Sequence, residues 1–336
     1  MIPILSPNTD NLRQAALALK SGKLIALPTE TVYGLGAHAF NPTALASIFE
    51  VKQRPFFDPL IIHIATLSEL KTLCSEINDK AKTLIKKFWP GPLTLVLPKS
   101  LQVPDIATAG LSSVAVRMPA HPVAQALLKA CGFPIAAPSA NPFGRLSPTT
   151  AEHVQAHFSK GIEFILDGGP CSIGVESTIL SLMEVTPVLL RAGGITREEI
   201  EALIGPIRLG ASVLKTPQAP GQLEGHYAPR TLLRLVESGS RPISDANVNT
   251  NFNSNSKRIG FLAFQTSPTH FDYASVEILS NSGDLNEAAT HLFSCLHRMD
   301  KLNLDLIEVE AIPKVGLGVA IMDRLEKAEA GSAKLF

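Results

Sequence analysis

The sequence holds little cysteine, few aromatics, no net charge and no long apolar run, and each shortage removes a class of protein. Four cysteines, Cys74, Cys131, Cys171 and Cys295, lie far apart in 336 residues. That spacing fits neither a disulfide framework nor a paired-thiol zinc site, so a reducing compartment is expected. The 30 basic and 30 acidic side chains cancel, which excludes capture of a polyanion by long-range charge alone. No stretch approaches the roughly 18 apolar residues of a membrane span, and Met1 to Pro7 lack the basic region and apolar core of a secretory leader. A cytoplasmic protein without a membrane partner is expected. No G-x-x-x-x-G-K-[ST] loop and no internal repeat are present.

At roughly 100 to 200 residues per domain, the length suggests two domains. Leu12, Ala15, Ala16 and Leu19 recur at helical spacing after Asn8 or Thr9, and Ser21-Gly22 ends that helix. Short apolar runs follow, each stopped by polar, Pro or Gly residues. Leu24 to Leu27 stop at Pro28, Val114 to Val116 at Arg117, Ile135 to Ala137 at Pro138, Phe164 to Leu166 at Asp167, and Val188 to Leu190 at Arg191. Helical windows at 43–51, 79–88 and 121–130 lie between them, which predicts an α/β sheet. Ligands of open α/β sheets gather beyond the carboxyl ends of strands, so these stops predict one pocket along that edge. Near residue 205 the periodicity lapses into a Pro- and Gly-punctuated stretch that holds His226-Tyr227-Ala228-Pro229. A second, smaller α/β unit is expected beyond it: strand Arg258 to Phe264 after an Asn/Ser-rich loop at 245–256, a helix carrying Leu285 to Met299, strand Leu306 to Ile312 and helix Gly318 to Ala330.

Four features bear on chemistry. Gly34-Leu35-Gly36-Ala37-His38-Ala39 matches the dinucleotide fingerprint, but six residues separate it from the preceding strand and Asn41-Pro42 delays the next helix, so the glycines cannot turn a strand directly into a helix. His153 and His157 stand four apart on a predicted helix without a third ligand, which favours packing over metal binding. Glu30, Asp167 and Glu176 lie in loops, where a catalytic role and hydrogen bonding of loop amides are equally open. Lys52 and Arg54, stopped by Pro55, make a compact positive site; it suits phosphates, and it equally suits a helix end.

The segments Leu27-Pro28-Thr29-Glu30-Thr31-Val32-Tyr33-Gly34-Leu35-Gly36, Lys52-x-Arg54-Pro55, Phe88-Trp89-Pro90-Gly91-Pro92-Leu93-Thr94, Val114-Ala115-Val116-Arg117-Met118-Pro119, Pro138-Ser139-Ala140-Asn141, Val175-Glu176-Ser177-Thr178 and Leu190-Arg191-Ala192-Gly193, in this order, resemble the YrdC-like family. With the His226-Tyr227-Ala228-Pro229 connector, the whole chain resembles its two-domain Sua5 form. The resemblance implies a twisted open mixed sheet at 1–205, a connector or lid at 206–230 and a Rossmann-like α/β domain at 231–336. It implies an enzyme, a nucleotidyltransferase, that makes threonylcarbamoyl-AMP and pyrophosphate from L-threonine, bicarbonate or carbon dioxide, and ATP with Mg²⁺. The product is then passed to the machinery that forms N6-threonylcarbamoyladenosine at position 37 of tRNAs.

By the same resemblance, Lys52, Arg54, Ser139 and Asn141 serve the phosphates, and Asp58, Ser113, Ser147, Arg191 and Tyr227 also contact ATP. Thr31, His63, Arg117, Ala137 and Ser177 hold L-threonine. Asp58 stands where many relatives have Asn, so its carboxylate needs a cation to offset repulsion of phosphate. No direct protein ligand to Mg²⁺ is expected, and any tRNA binding is expected to be weak. The alternatives are an RNA-binding YrdC-like module without adenylate-forming activity, which the neutral charge disfavours, and a carbamoyl-transferring hydrogenase-maturation factor, whose acylphosphatase and zinc-finger regions the chain lacks.

Overall fold

The computed structural model describes residues 1–210, 217–223, 225–237, 258–267 and 273–334. Among them, eleven short strands form one mixed sheet: β1 (Ile4–Leu5), β2 (Ile25–Leu27), β3 (Gly34–His38), β4 (Ile61–His63), β5 (Leu93–Pro98), β6 (Ser113–Arg117), β7 (Ile135–Ala136), β8 (Ile165–Leu166), β9 (Thr178–Ser181), β10 (Val188–Arg191) and β11 (Arg208–Leu209). Their spatial order is β1-β8-β2-β3-β7-β4-β6-β5-β9-β10-β11. The central runs are apolar on both faces; all of β5 except Pro98 is buried, for example, because helices and loops cover the sheet on either side.

The helices of this part are α1 (Thr9–Lys20), α2 (Pro42–Lys52), α3 (Leu67–Leu73), α4 (Asp79–Phe88), α5 (Asp105–Thr108), α6 (Pro122–Cys131), α7 (Ala151–His157) and α8 (Arg197–Ile204). Local chemistry sets their ends. The side chain of Asn8 accepts the Asn11 amide at 2.8 Å to start α1, and Asn41 does the same for Thr43 and Ala44 ahead of Pro42, a residue suited to a first helical turn. Helix α2 stops at Gln53, which adopts a left-handed φ of 52°, and so places Lys52 and Arg54 at the turn into the Pro55 loop. Helices α1 and α6 cover one face with Ala15, Leu19, Leu127 and Leu128; the larger core lies on the other, around Leu45, Ile48, Phe49 and Leu84.

A second sheet holds β12 (Leu232–Val236), β13 (Ile259–Ala263), β14 (Ser275–Ile278) and β15 (Leu306–Glu310), all parallel, in the order β12-β15-β13-β14. Helices α9 (Leu285–Asp300) and α10 (Gly318–Ala333) pack on it. Their core of Leu292, Phe293, Leu296, Ile321 and Leu325 is continuous with Val32, Leu146, Val175 and Tyr227, so the second sheet's core grips loops of the first part.

Gly34 to His38 form β3, antiparallel to β2 and β7, so the glycines lie within a strand and open no helix. One expectation is corrected: a shared carboxyl edge does not exist, because β7 runs against β4, β5 against β6 and β10 against β9, so neighbouring strands point their carboxyl ends oppositely. The Asn/Ser-rich loop at 245–256 lies outside the described residues.

Candidate functional site

The cavity that collects most of the singled-out residues lies over a face of the large sheet. Ile61 and His63, two apart on β4, both line it, as a side-chain period of two requires for residues on one face. Arg117 reaches the same face from β6, paired in register with His63. One wall is Gly34, Ala137, Pro138 and Ser139; a second is Thr29, Thr31 and Val32; a third is Glu176, Ser177 and Arg191. Arg54 lines it as well, and Pro220, Gly221, His226 and Tyr227 of the connector roof it. Under that roof the space open to the centres of water molecules is about 40 Å³.

Each cation around the cavity is already held by the protein. Arg117 Nη1 donates to Thr31 Oγ1 at 2.9 Å and Nε to the Gly91 carbonyl at 3.2 Å. Its Nη2 lies 2.6 Å from Glu30 Oε1, an ion pair whose angle completes no hydrogen bond. Arg54 Nη2 sits 2.9 Å from Asp58 Oδ2 and donates to the Pro59 carbonyl at 2.9 Å. Arg191 donates twice to the Ser177 carbonyl, at 3.1 and 2.9 Å, and to Pro220 of the roof at 3.2 Å. Lys52 Nζ donates to the carbonyls of Ser139 and Asn141.

Burial decides the electrostatics. It pushes the Lys52 ammonium well below its ordinary range, and the Arg54 charge adds to that. Burial also raises the Asp58 carboxyl despite Arg54 beside it. Burial raises the Glu30 carboxyl, but Arg117 and the backbone amides of Glu30 and Ala120 together lower it more, and it ends below its usual value. The balance at Glu176 is the same, with Arg324 and Arg191 outweighing burial. His63 falls to about 3 through burial and the Arg117 charge, which leaves a neutral ring whose Nδ1 has no partner.

Of the residues anticipated from the sequence, Thr31, Arg54, His63, Arg117, Ala137, Ser139, Ser177, Arg191 and Tyr227 line the cavity. Lys52, Asp58, Asn141 and Ser147 do not; they stand one layer out, fully buried. Arg54 supplies the cation that the Asp58 carboxylate was expected to need. Asn141 Nδ2 donates to the carbonyls of Pro142 and Arg145, and the Ser147 hydroxyl donates to Glu176. Ser113 starts β6, four residues from Arg117 and about 13 Å along the strand on the same face, also outside the lining. Tyr227 holds a φ of 65°, rare for a bulky residue, with its ring beneath the Arg324 guanidinium at 5.2 Å.

Two contributors escaped the sequence reading: Arg324 on α10, which pairs with Glu176 at 2.8 Å, and His297 on α9, which reaches the Ser147 carbonyl at 3.0 Å. For Arg324 a signal exists, since it interrupts the apolar stripe of Ile321, Leu325 and Ala328. The pair His153 and His157 packs against His297. Among the described residues, no three His, Cys, Asp or Glu side chains converge as a bound metal requires, and no helix is long and apolar enough to cross a membrane.

Comparison with known proteins gives consistent matches. A family model described as telomere recombination, named for Sua5, YciO and YrdC, matches residues 17–193. A second, described as the C-terminal domain of threonylcarbamoyl-AMP synthase, matches residues 195–330. The chain is 46% identical over 324 residues to the threonylcarbamoyl-AMP synthase of Pyrococcus abyssi, covering 94% of this chain and 93% of that one. It is 44% identical over 331 residues to that of Bacillus subtilis, covering 97% and 95%. The structure of P. abyssi Sua5 complexed with L-threonine superposes with a TM-score of 0.88 at 42% identity, over 99% of this chain and 98% of that one.

Proposed function

This chain belongs to the Sua5, YciO and YrdC family, in the form that carries the Sua5 C-terminal region, and on that footing we propose that it is a threonylcarbamoyl-AMP synthase. The reaction joins L-threonine, bicarbonate and ATP. The threonine amine takes up bicarbonate with loss of water to give a carbamate. A carbamate oxygen attacks the α-phosphorus, the bond to the β,γ-phosphates breaks, and pyrophosphate leaves with that electron pair. The chain is therefore a nucleotidyltransferase, acting in the cytoplasm and feeding the tRNA modification step.

The observation that carries this reading is the convergence of three guanidinium groups, Arg54, Arg117 and Arg191, on one cavity of the sheet face. Arg117 serves the threonine carboxylate: its Nη2 touches Glu30 without an aligned hydrogen bond, so a carboxylate oxygen completes its set. The unpartnered Nδ1 of His63 accepts from the substrate's hydroxyl, and Thr31, Ala137 and Ser177 complete that end. Arg54, Arg191 and Ser139 face the phosphates. Lys52 draws together the carbonyls of Ser139 and Asn141, which shapes the turn, while Ser113 marks the far end of a long ligand lying along β6. No nucleophile is needed; positioning and charge stabilisation supply the rate. Mg²⁺ bound with the triphosphate would offset its charge.

The roof of Pro220, Gly221, His226 and Tyr227 covers the cavity and swings out to load the site. Closed again, it shields a mixed anhydride that water would destroy. The test is purified full-length protein with ATP, Mg²⁺ and bicarbonate, following pyrophosphate and the adenylate. L-Threonine should support both and L-serine far less. Pyrophosphate release indifferent to the amino acid, or no uptake of ATP by calorimetry, overturns the reading.

A further inference from the structure

Helices α9 and α10 of the second region reach the cavity from behind. His297 Nε2 lies 3.0 Å from the Ser147 carbonyl oxygen; a carbonyl only accepts, so the ring carries its proton there and donates it. From α7, His157 Nε2 makes the same contact with the preceding carbonyl, Leu146, at 3.2 Å. The His153 ring stacks on His297 at 3.9 Å. The other side of Ser147 is held too: its hydroxyl donates to Glu176 Oε1, and Glu176 Oε2 accepts from Arg324 Nε at 2.8 Å. Arg324 is only 1% exposed.

The helices approach the loops closely. A Cβ on Gly174 would overlap the Ala289 carbonyl and the Thr290 backbone of α9, and the Thr290 hydroxyl donates to the Ser172 carbonyl at 3.0 Å. The loop 142–149 on the phosphate side is thus fastened to the second region, as is 172–177, which carries Glu176 and Ser177. Arg117, Glu30 and Thr31 of the threonine end find their partners within the first region.

We propose that His297 and Arg324 are positioning residues for the nucleotide end of the site, fixing the backbone and hydroxyl of Ser147 and the carboxylate of Glu176 so that ATP, and not threonine, senses their loss. This rests on the synthase reading above. Without the His297 donor, the Ser147 carbonyl is buried and unpaired, and the loop shifts to recover a partner. A displacement of about 1 Å at groups that position a triphosphate is enough to lower its use many-fold.

The test uses the full chain with His297→Phe, which keeps a ring against His153 but removes the donor, and His297→Gln, which restores an N–H at a similar reach. Each is made with and without Ser147→Ala. The expected result for His297→Phe is a rise of about tenfold in KM for ATP with KM for L-threonine within twofold, and His297→Gln should recover most of it. Ser147→Ala keeps the backbone carbonyl that His297 holds, so in that background the Phe change should still raise the ATP constant. Arg324→Lys should likewise raise the ATP constant selectively. The proposal is overturned if His297→Phe leaves the ATP constant unchanged, if both substrates' constants rise together with a fall in Tm, or if the Phe effect vanishes when Ser147 is Ala. Should the wild type bind ATP but make no adenylate, the synthase reading falls and the positioning role is judged on the ATP Kd by calorimetry. Failure to bind ATP at all removes both.

Discussion

Acid should loosen this protein well before its carboxylates titrate, and the three imidazoles packed between α7 and α9 should account for much of the loss. Burial, together with neighbouring positive groups, lowers His153 to about 3; those neighbours are His297, Lys301, His157 and Arg298. His157 also falls to about 3, through burial and then His297, Lys52 and Arg230, against the Leu146 contact. His297 falls to about 4, through burial and Lys301, with the Ser147 contact and Asp300 opposing. An unfolded imidazole protonates near 6.5. Above that pH neither state carries the proton and the groups cost nothing. As pH falls below 6.5 the unfolded chain binds protons that the folded protein refuses, so stability drops until the folded values are reached. Between pH 6.5 and 5 one such ring taken alone forfeits about 2 kcal/mol, and the trio less than three times that because each ring's shift already includes its neighbours, out of a total of roughly 5–15 kcal/mol for a typical domain. Urea unfolding at fixed pH from 7.5 to 5 measures this. His157→Gln keeps a donor for Leu146 but does not titrate, so it should forfeit about 2 kcal/mol less than wild type over that interval. His63 and His226, also neutral by burial, add to the wild-type slope but not to this difference. Stability that stays flat from pH 7.5 to 5, or a variant as acid-sensitive as wild type, refutes the reasoning.

Further predictions follow from single contacts. Arg117→Ala should weaken L-threonine binding by about 2–4 kcal/mol while ATP binding measured alone stays within threefold; an unchanged threonine isotherm places the amino acid elsewhere. Asp58→Asn frees Arg54 from its buried carboxylate, so ATP should bind several-fold tighter while the ligand-free protein unfolds at lower urea; weaker ATP binding would show that Asp58 orients Arg54 instead of competing for it. Gly193→Ala drives a Cβ into the backbone of Glu176, Ser177 and Thr178. It should cost more than about 2 kcal/mol and abolish adenylate formation, and wild-type denaturation and turnover would contradict that packing.

Much of the fold was legible because local chemistry dictated it. Asn8, Asn41 and Asn78 cap the helices that periodicity predicts, and apolar runs too short for helices stop at Pro, Gly or Arg as strands. Strand direction was not legible. β1, β7, β8 and β11 are two residues long, and β3 begins Gly-Leu-Gly, so their pairing is imposed by neighbours distant in sequence. That is why a carboxyl edge was expected where the structure has a face.

The site divides along the same line. Arg54, Arg117 and Arg191 are readable as cations at abrupt strand or helix ends, and the structure brings all three to one cavity. What restrains them is not readable in that way: Glu176 meets Arg324 across 148 residues and His297 meets Ser147 across 150. A contact of that span leaves only an indirect trace, a charged residue on an otherwise apolar helix stripe, and its meaning depends on what the stripe packs against. Here the stripe of α10 packs beside Tyr227 and Glu176, so a buried arginine that would be costly as an isolated core charge is compensated by a carboxylate of the cavity. The second region therefore belongs to the cavity's architecture through that ion pair, and the cost of burying Arg324 is offset only while Glu176 remains in place.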